Sequence, residues 1–355
     1  MIISLKLLIP LTYFTTIIYT LLWFSFAFGS LQANAFELTA TDIQSIIDKD
    51  SRAFSGVIMI SDNSKNYVNY QAGETIKSDS VFLIGSISKT VTATLVLQAV
   101  DQQKLTLTDN ISDHLTIKTQ YPVTIAQLLN HTSGILPPKS PSLIADSQFA
   151  PTSQFSYSNY GYALLGQILT QVYQQPYSTL VNQFATQNKL DIQANIGSIA
   201  AMYTQQPRLA QGYMEQQNQR TLLVDLTIDN DFLAFGGMQA STAGINQFLN
   251  GLHQGHYLSA SSYQAMTNAS TTRHHRWGEV GYGFGLQISQ QGGVIEYSHS
   301  GYIPGYISLM LYYPQPQLTV VILENTSWDL DNIDRVFGLQ DKIRQTITEQ
   351  LMAHE

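Results

Sequence analysis

The chain has 355 residues, 44% of them hydrophobic and 12% charged, and a formal net charge of −8. An apolar share of that size can build a globular core, while an acidic balance with no basic tract gives nucleic acid no electrostatic footing. Cysteine is absent, which excludes disulfides, thiol catalysis and thiolate metal sites, and the eight histidines form no His-x-x-x-His or His-Glu-x-x-His pattern, so neither a metal nor another cofactor is expected.

Residues 1–35 differ from the rest. Lys6 is the only charge before Glu37, Leu7 to Phe28 is almost continuously apolar, and Ala33-Asn34-Ala35 precedes Phe36. This reads as a secretory signal peptide cut after Ala35. The competing reading is an uncleaved anchor, with membrane contact only if residues 7–28 remain. On either reading the chain is exported and is periplasmic, secreted or associated with the cell envelope.

From Thr39 the apolar spacing of Ile43, Ile46 and Ile47 predicts a helix reaching Ala53. Ser55 to Ser61 and Tyr67 to Ala72 read as a hairpin around the turn residues 62–65. Val81 to Ile84 is apolar and gives way to a helix over Thr90–Val100. A Thr-capped helix follows at 123–130, with Gly134 as its turn residue. Residues 137–153 are rich in Pro and Ser and read as loop. Helices are predicted at 160–173 and 177–187, and the pattern over 191–231 is poor. A helix capped by Ser241 or Thr242 covers 245–251. Strands are predicted at 282–289, 294–299, 306–313 and 318–325, and a closing helix at 332–353. Strands at both ends with helices between them suggest one sheet built from both termini, with a helical insertion.

Gly85-Ser86-Ile87-Ser88-Lys89-Thr90 carries the chemistry. A serine hydroxyl attacks poorly until a base takes its proton. Lys89, one turn further along the same helix face, could be that base if burial near the helix end made it neutral. Backbone N–H groups at the same end can hold an oxyanion. Read alone, Ser86 is as well explained as a helix cap with a surface lysine.

Tyr157-Ser158-Asn159 opens the helix near Tyr160. A phenol can relay protons, and beside a lysine ammonium its pKa can fall toward the working range. Asn159 offers both a donor and an acceptor to a substrate amide or to Lys89. His299-Ser300-Gly301 closes a strand; His299 and Ser300 could bind a substrate carboxylate or help return a proton, and Gly301 lets a ligand approach the backbone. The N–H of Tyr302 could pair with that of Ser86 as the oxyanion donors. By themselves these triplets are also a core tyrosine, a capping asparagine and a histidine at a strand end.

In this order, Ser-x-x-Lys, Tyr-x-Asn and His-x-Gly resemble the serine β-lactamase and penicillin-binding-protein superfamily. The branch resembled is the one holding class C β-lactamases, some DD-carboxypeptidases and related esterases. Leu128-Leu129-Asn130-His131-Thr132-Ser133-Gly134, Phe235-Gly236-Gly237 ahead of Ser241-Thr242-Ala243, and Gly281-Tyr282-Gly283-Phe284-Gly285 agree with it, so the resemblance covers about residues 40–330. It implies an α/β (α+β) fold: an antiparallel sheet flanked by helices with an inserted, mostly helical domain. The sheet part would lie at about 36–85 and 236–355, the helical part at about 90–235, and the site in the cleft between them. It also implies Ser86 as the acylated nucleophile, Lys89 as its proton partner and Tyr157 as general base or acid. Asn159, His299, Ser300 and Gly301 would contact substrate, and the Ser86 and Tyr302 N–H groups would form the oxyanion hole.

The activity expected is hydrolysis of cell-wall D-alanyl-D-alanine peptides through a Ser86 acyl-enzyme, with β-lactamase or small-ester esterase activity as the alternatives. The partner is then a small peptide, β-lactam or ester, with peptidoglycan as its source. A non-catalytic protein that binds cell-wall peptide or β-lactam is the reading from another class. One feature departs from the peptidase pattern: between Trp277 and Ser298 there is no Lys or Arg to grip a terminal carboxylate. Arg273 and Arg276 are near in sequence, but sequence alone does not put them in the cleft.

Overall fold

The computed structural model describes residues 36–138, 147, 150–151, 154–217 and 219–353. The expectation of a leader or anchor over residues 1–35 lies outside them. Helix α1 (Ala40–Asp48) starts on a reciprocal cap, in which the Thr39 hydroxyl accepts the Asp42 N–H at 3.3 Å and the Asp42 carboxylate accepts the Thr39 N–H at 2.8 Å. It stops short of the expected Ala53, because Asp50 turns its carboxylate to the Arg52 N–H and to Lys342.

Strands β1 (Gly56–Ser61) and β2 (Asn66–Ala72) form the expected hairpin, whose turn is closed by Asp62 accepting the N–H groups of Ser64 and Lys65. Six more strands follow late in the chain: β3 (Thr271–His275), β4 (Gly278–Tyr282), β5 (Gln287–Gln291), β6 (Val294–Ile303), β7 (Tyr306–Tyr313) and β8 (Leu318–Glu324). Together they make one eight-stranded antiparallel sheet in the order β3-β4-β5-β6-β7-β8-β1-β2. Both ends of the chain thus contribute, with Val57 opposite Leu323 on β8.

Every residue of β7 and β8 is buried. Helix α7 (Thr242–His253) packs on β1 and β8, while the closing helix α9 (Ile333–Ala353) packs on β6, β7 and α1. Strands covered on both faces read as continuous apolar runs, which is what Leu309-Met310-Leu311 and Val320-Val321-Ile322-Leu323 are. Each such side chain contributes about 1.5–3 kcal/mol on burial. Where β8 ends, Glu324 accepts from Arg52 Nη2 at 3.0 Å and from Gln340 Nε2 at 3.0 Å, both carboxylate partners being buried. This ties the segment after α1 to the sheet and to α9.

Between the two parts of the sheet run α2 (Ser88–Asp101), α3 (Ile125–Leu129), α4 (Asn159–Tyr173), α5 (Tyr177–Gln187) and α6 (Ile199–Gln205). Helix α2 is buried on all sides from Ser88 to Leu97. Its three threonines are all hydrogen-bonded: Thr92 donates to the Ala234 carbonyl, Thr94 to the Thr90 carbonyl and Thr90 to the Gly285 carbonyl. A helix buried all round is a fixed post, and Ser86 and Lys89 stand at its entrance.

Three expectations need correction. The run expected as one strand over 282–289 is two strands, because Gly285 adopts a positive φ of 70° and turns the chain between β4 and β5. Strand β3 and helix α8 (Ala260–Thr267) were not expected at all. The residue with positive φ right after α3 is His131, at 61°, with Gly134 at 64° further on.

Candidate active site

Ser86 sits in a tight helical turn, Gly85–Ile87, that feeds directly into α2. Gly85 takes a φ of 54°, and a Cβ there would come within 2.9 Å of the Tyr302 backbone nitrogen. Ser86 is half-buried and so reachable from solvent, whereas Lys89 is 0% exposed. Lys89 Nζ lies 3.2 Å from Ser86 Oγ and donates to the carbonyl oxygen of Phe235 at 2.7 Å. Burial, with no carboxylate to offset it, pushes the Lys89 amine well below its ordinary pKa of 10.5. In its unprotonated form this amine has a lone pair within reach of the Ser86 hydroxyl.

The Phe235 carbonyl is presented by a π-helical turn, Leu233–Gly237. That turn is held on α2 by Thr92 Oγ1 donating to the Ala234 carbonyl and by the Met238 N–H donating to Ser88 Oγ at 3.3 Å. π-turns recur at functional sites because they re-aim backbone groups. Sequence reading singled out Phe235-Gly236-Gly237 but gave its carbonyl no task.

Tyr157 reaches the same point from the segment ahead of α4, and its hydroxyl is hydrogen-bonded to Ser86. The residue as a whole is 38% exposed, and its ring lies 4.8 Å from Lys89 Nζ. The expected fall in its pKa does not occur. Burial pushes the phenol up to about 12, the hydrogen bond from Ser86 and the charge of Arg273 offsetting only part of the rise. The structure therefore brings Ser86, Lys89 and Tyr157 together, with Tyr157 as a protonated phenol.

Asn159 opens α4 with an exposed side chain. Among the described residues it makes no hydrogen bond to Lys89, whose bonds go to Ser86 and Phe235.

His299 departs from expectation. It is 1% exposed; its Nδ1 bonds the Ser300 carbonyl at 2.8 Å and its Nε2 lies 3.2 Å from the Tyr282 hydroxyl. Burial and the neighbouring cationic groups push its pKa down to about 3. A neutral ring enclosed in this way presents no charge to a carboxylate.

Ser300 is half-buried, and its Oγ accepts a long bond of 3.4 Å from Arg276, which is itself paired with Asp341. Gly301 is needed for a different reason than expected. A Cβ there would meet the Ile84 carbonyl oxygen at 2.4 Å, Ser308 Oγ at 2.3 Å and the Ser86 nitrogen at 3.0 Å. The glycine admits the nucleophile's own backbone. The same close approach sets the backbone nitrogens of Ser86 and Tyr302 at one junction, and β5 stops pairing with β6 at Ser298, before that point.

Arg273, on the strand that sequence reading missed, stands over the rings of Phe155 and Tyr157 at 5.2 and 5.6 Å. Its Nε is buried without a partner among the described residues. The charge was visible in sequence. Its place was not, because β3 joins the site only through the pairing of β3 with β4 and the turn at Gly285.

Residues 43–337 match the family described as Beta-lactamase. A penicillin-binding protein of Bacillus subtilis (strain 168) is 24% identical over 322 residues, covering 79% of this chain and 70% of that one. A β-lactamase of Pseudomonas fluorescens is 31% identical over 202 residues, about half of each chain at 49% and 56%. The crystal structure of a penicillin-binding protein from Bacillus halodurans superposes with a TM-score of 0.70 at 21% identity, over 86% of this chain and 98% of that one.

Proposed function

The chain belongs to the Beta-lactamase family and is a serine hydrolase, and from that premise we propose that it acts as a DD-peptidase, removing the terminal D-alanine from D-alanyl-D-alanine peptides of the cell wall. The observation that carries the reading is the buried amine of Lys89, 3.2 Å from Ser86 Oγ and without a counter-charge. In the reaction proposed, Lys89 takes the hydroxyl proton as Ser86 Oγ attacks the scissile carbonyl. The new C–O bond leaves an oxyanion, which the N–H groups of Ser86 and Tyr302 stabilise. The Tyr157 hydroxyl then passes a proton, resupplied from Lys89, to the departing amine as the C–N bond breaks. Water attacks the ester by the same route in reverse, releasing the acid and restoring Ser86.

The peptidase reading over its alternatives rests on Arg273. Its guanidinium beside Tyr157 supplies the cation that a terminal carboxylate needs, from a strand other than the one searched in sequence. Asn159, exposed at the start of α4, is the side-chain amide available to the substrate backbone. Export, proposed from the apolar segment over residues 7–28 and Ala33-Asn34-Ala35, would place the enzyme with such peptides. The β-lactamase reading draws on the Pseudomonas fluorescens relative.

The test is a fluorescent penicillin, a D-Ala-D-Ala peptide and a p-nitrophenyl ester, each given to the wild type and to Ser86→Ala. A persistent label with release of D-alanine supports the peptidase. Rapid loss of label marks a β-lactamase, ester cleavage alone an esterase, and label-free inertness toward all three a non-catalytic binder. Turnover that survives in Ser86→Ala removes the nucleophile from the scheme.

A further inference from the structure

The motif Leu128-Leu129-Asn130-His131-Thr132-Ser133-Gly134 has so far been given no task, and it lies under the site. We propose that His131 is a positioning residue that clamps Tyr157 from both sides of its backbone; this rests on the role given to Tyr157 above.

The geometry is specific. The His131 carbonyl accepts the N–H of Ser156 at 2.8 Å, and His131 Nδ1 accepts the N–H of Ser158 at 3.1 Å. One residue thus holds the residues on either side of Tyr157. Between those two bonds the imidazole lies against the Tyr157 ring, with centres 4.4 Å apart and planes at 38°. Neither bond belongs to a helix or a sheet, so neither is explained by regular structure. An Nδ1 that accepts an N–H must be unprotonated, which fits a ring that is 1% exposed and shifted by burial well below its ordinary pKa.

The backbone supports the same reading independently. His131 follows the cap of α3 with a φ of 61°, a left-handed position where glycine is usual and a bulky residue costs stability. The turn is held in place by the Thr132 and Ser133 N–H groups donating to the Gln127 carbonyl and by Thr132 Oγ1 donating to Asn130 Oδ1. The left-handed turn sends the imidazole inward, among the rings of Phe155, Tyr162 and Tyr282 at 5.1–5.4 Å. A glycine would relieve the strain and lose the side-chain half of the clamp.

Two substitutions separate the parts. Asn keeps the left-handed preference and carries Oδ1 at the same bond distance from Cα as Nδ1, so His131→Asn retains the acceptor for Ser158. His131→Phe retains a ring but loses the acceptor. Acylation by p-nitrophenyl acetate would be followed in both, with thermal unfolding as the check on folding. The expected result is a fall in kcat of about 10²-fold for His131→Phe, the scale of a 1 Å misplacement, with KM little changed and with His131→Asn within about tenfold of wild type.

Repeating His131→Phe in a Tyr157→Phe background separates a clamp from a general structural role. If His131 acts through Tyr157, its substitution costs little once the hydroxyl is gone. An equal cost in both backgrounds overturns the proposal, as does a His131→Phe enzyme with wild-type kcat. Should His131→Phe fail to fold, His131→Gly carries the same cycle with the strain removed. The Ser86→Ala result stands apart from all of these, so the clamp can fail while the hydrolase reading holds.

Discussion

Lys89 and Phe235, 146 positions apart in sequence, are joined by a hydrogen bond of 2.7 Å from the amine to the backbone carbonyl. The bond ties down one N–H of the amine and leaves its other positions, the lone pair of the unprotonated form included, for Ser86 Oγ. The state of Lys89 is therefore a property of packing, and it has consequences that can be measured.

The first concerns stability. In the unfolded chain Lys89 holds a proton up to its ordinary pKa of 10.5, whereas in the folded chain burial strips it at a lower pH. Between those two points unfolding takes up a proton, so this group's cost to stability is absent above 10.5 and grows as pH falls. It becomes constant below the folded pKa. Lys89→Met removes the dependence: the difference in unfolding free energy between variant and wild type should change with a slope of up to about 1.4 kcal/mol per pH unit across that window. Urea titrations at a series of pH values measure it, and a flat difference would mean that Lys89 is charged in the folded protein.

The second concerns the rate against pH. Acylation should rise on an acid limb as Lys89 loses its proton. No second rise from a phenolate is expected below about pH 11, since Tyr157 is pushed up to about 12. Tyr157→Phe should lower kcat/KM for a nitrophenyl ester by about 10²–10⁴-fold and leave the midpoint of that limb where it was. Lys89→Arg, which cannot deprotonate, should lose the limb and the activity together. A midpoint that moves in Tyr157→Phe would assign the base to the phenol instead.

Arg273 is predicted to read the substrate carboxylate. Arg273→Gln should cut kcat/KM for a peptide ending in a free D-Ala-D-Ala carboxylate by about 10–10²-fold, the value of a charge-assisted hydrogen bond. The amidated form of the same peptide should be hydrolysed as well by the variant as by wild type. An equal loss on both would give Arg273 a part in shaping the site through Phe155 and Tyr157.

Gly301 should tolerate no side chain. Because a Cβ there meets the Ile84 carbonyl oxygen at 2.4 Å, a backbone atom that cannot rotate away, Gly301→Ala must push the Gly85–Ile87 turn off β6. We expect a loss of stability of about 1–3 kcal/mol and a fall in acylation of at least about tenfold. Thermal unfolding and burst kinetics read the two effects, and an active, fully stable variant would show that the turn can shift freely.

Much of the framework was legible because its signals are local. Thr39, Thr124, Ser158 and Ser241 each cap a helix that sequence placed, by accepting an N–H three residues on. The apolar runs of β7 and β8 announced strands, and the structure covers both of their faces. The misses have equally local causes. Strand β3 is Thr-Thr-Arg-His-His, a polar strand at the sheet edge with little alternation to find. The run from Tyr282 reads as unbroken strand because φ at Gly285 is invisible in its letter.

The amino-acid order by itself determined which groups could do chemistry: a hydroxyl and an amine one turn apart at a helix entrance, a phenol before a capped helix, and a glycine on a closing strand. Spacing along a chain fixes such neighbours because helix and turn geometry are short-range. Only the tertiary structure decided what those groups are. Burial depressed the pKa of Lys89, held Tyr157 protonated and enclosed His299. The crossing of distant segments brought Phe235, Arg273 and His131 to the site. A pKa depends on water excluded by residues far away in sequence, and no pattern within a short window of residues records that exclusion.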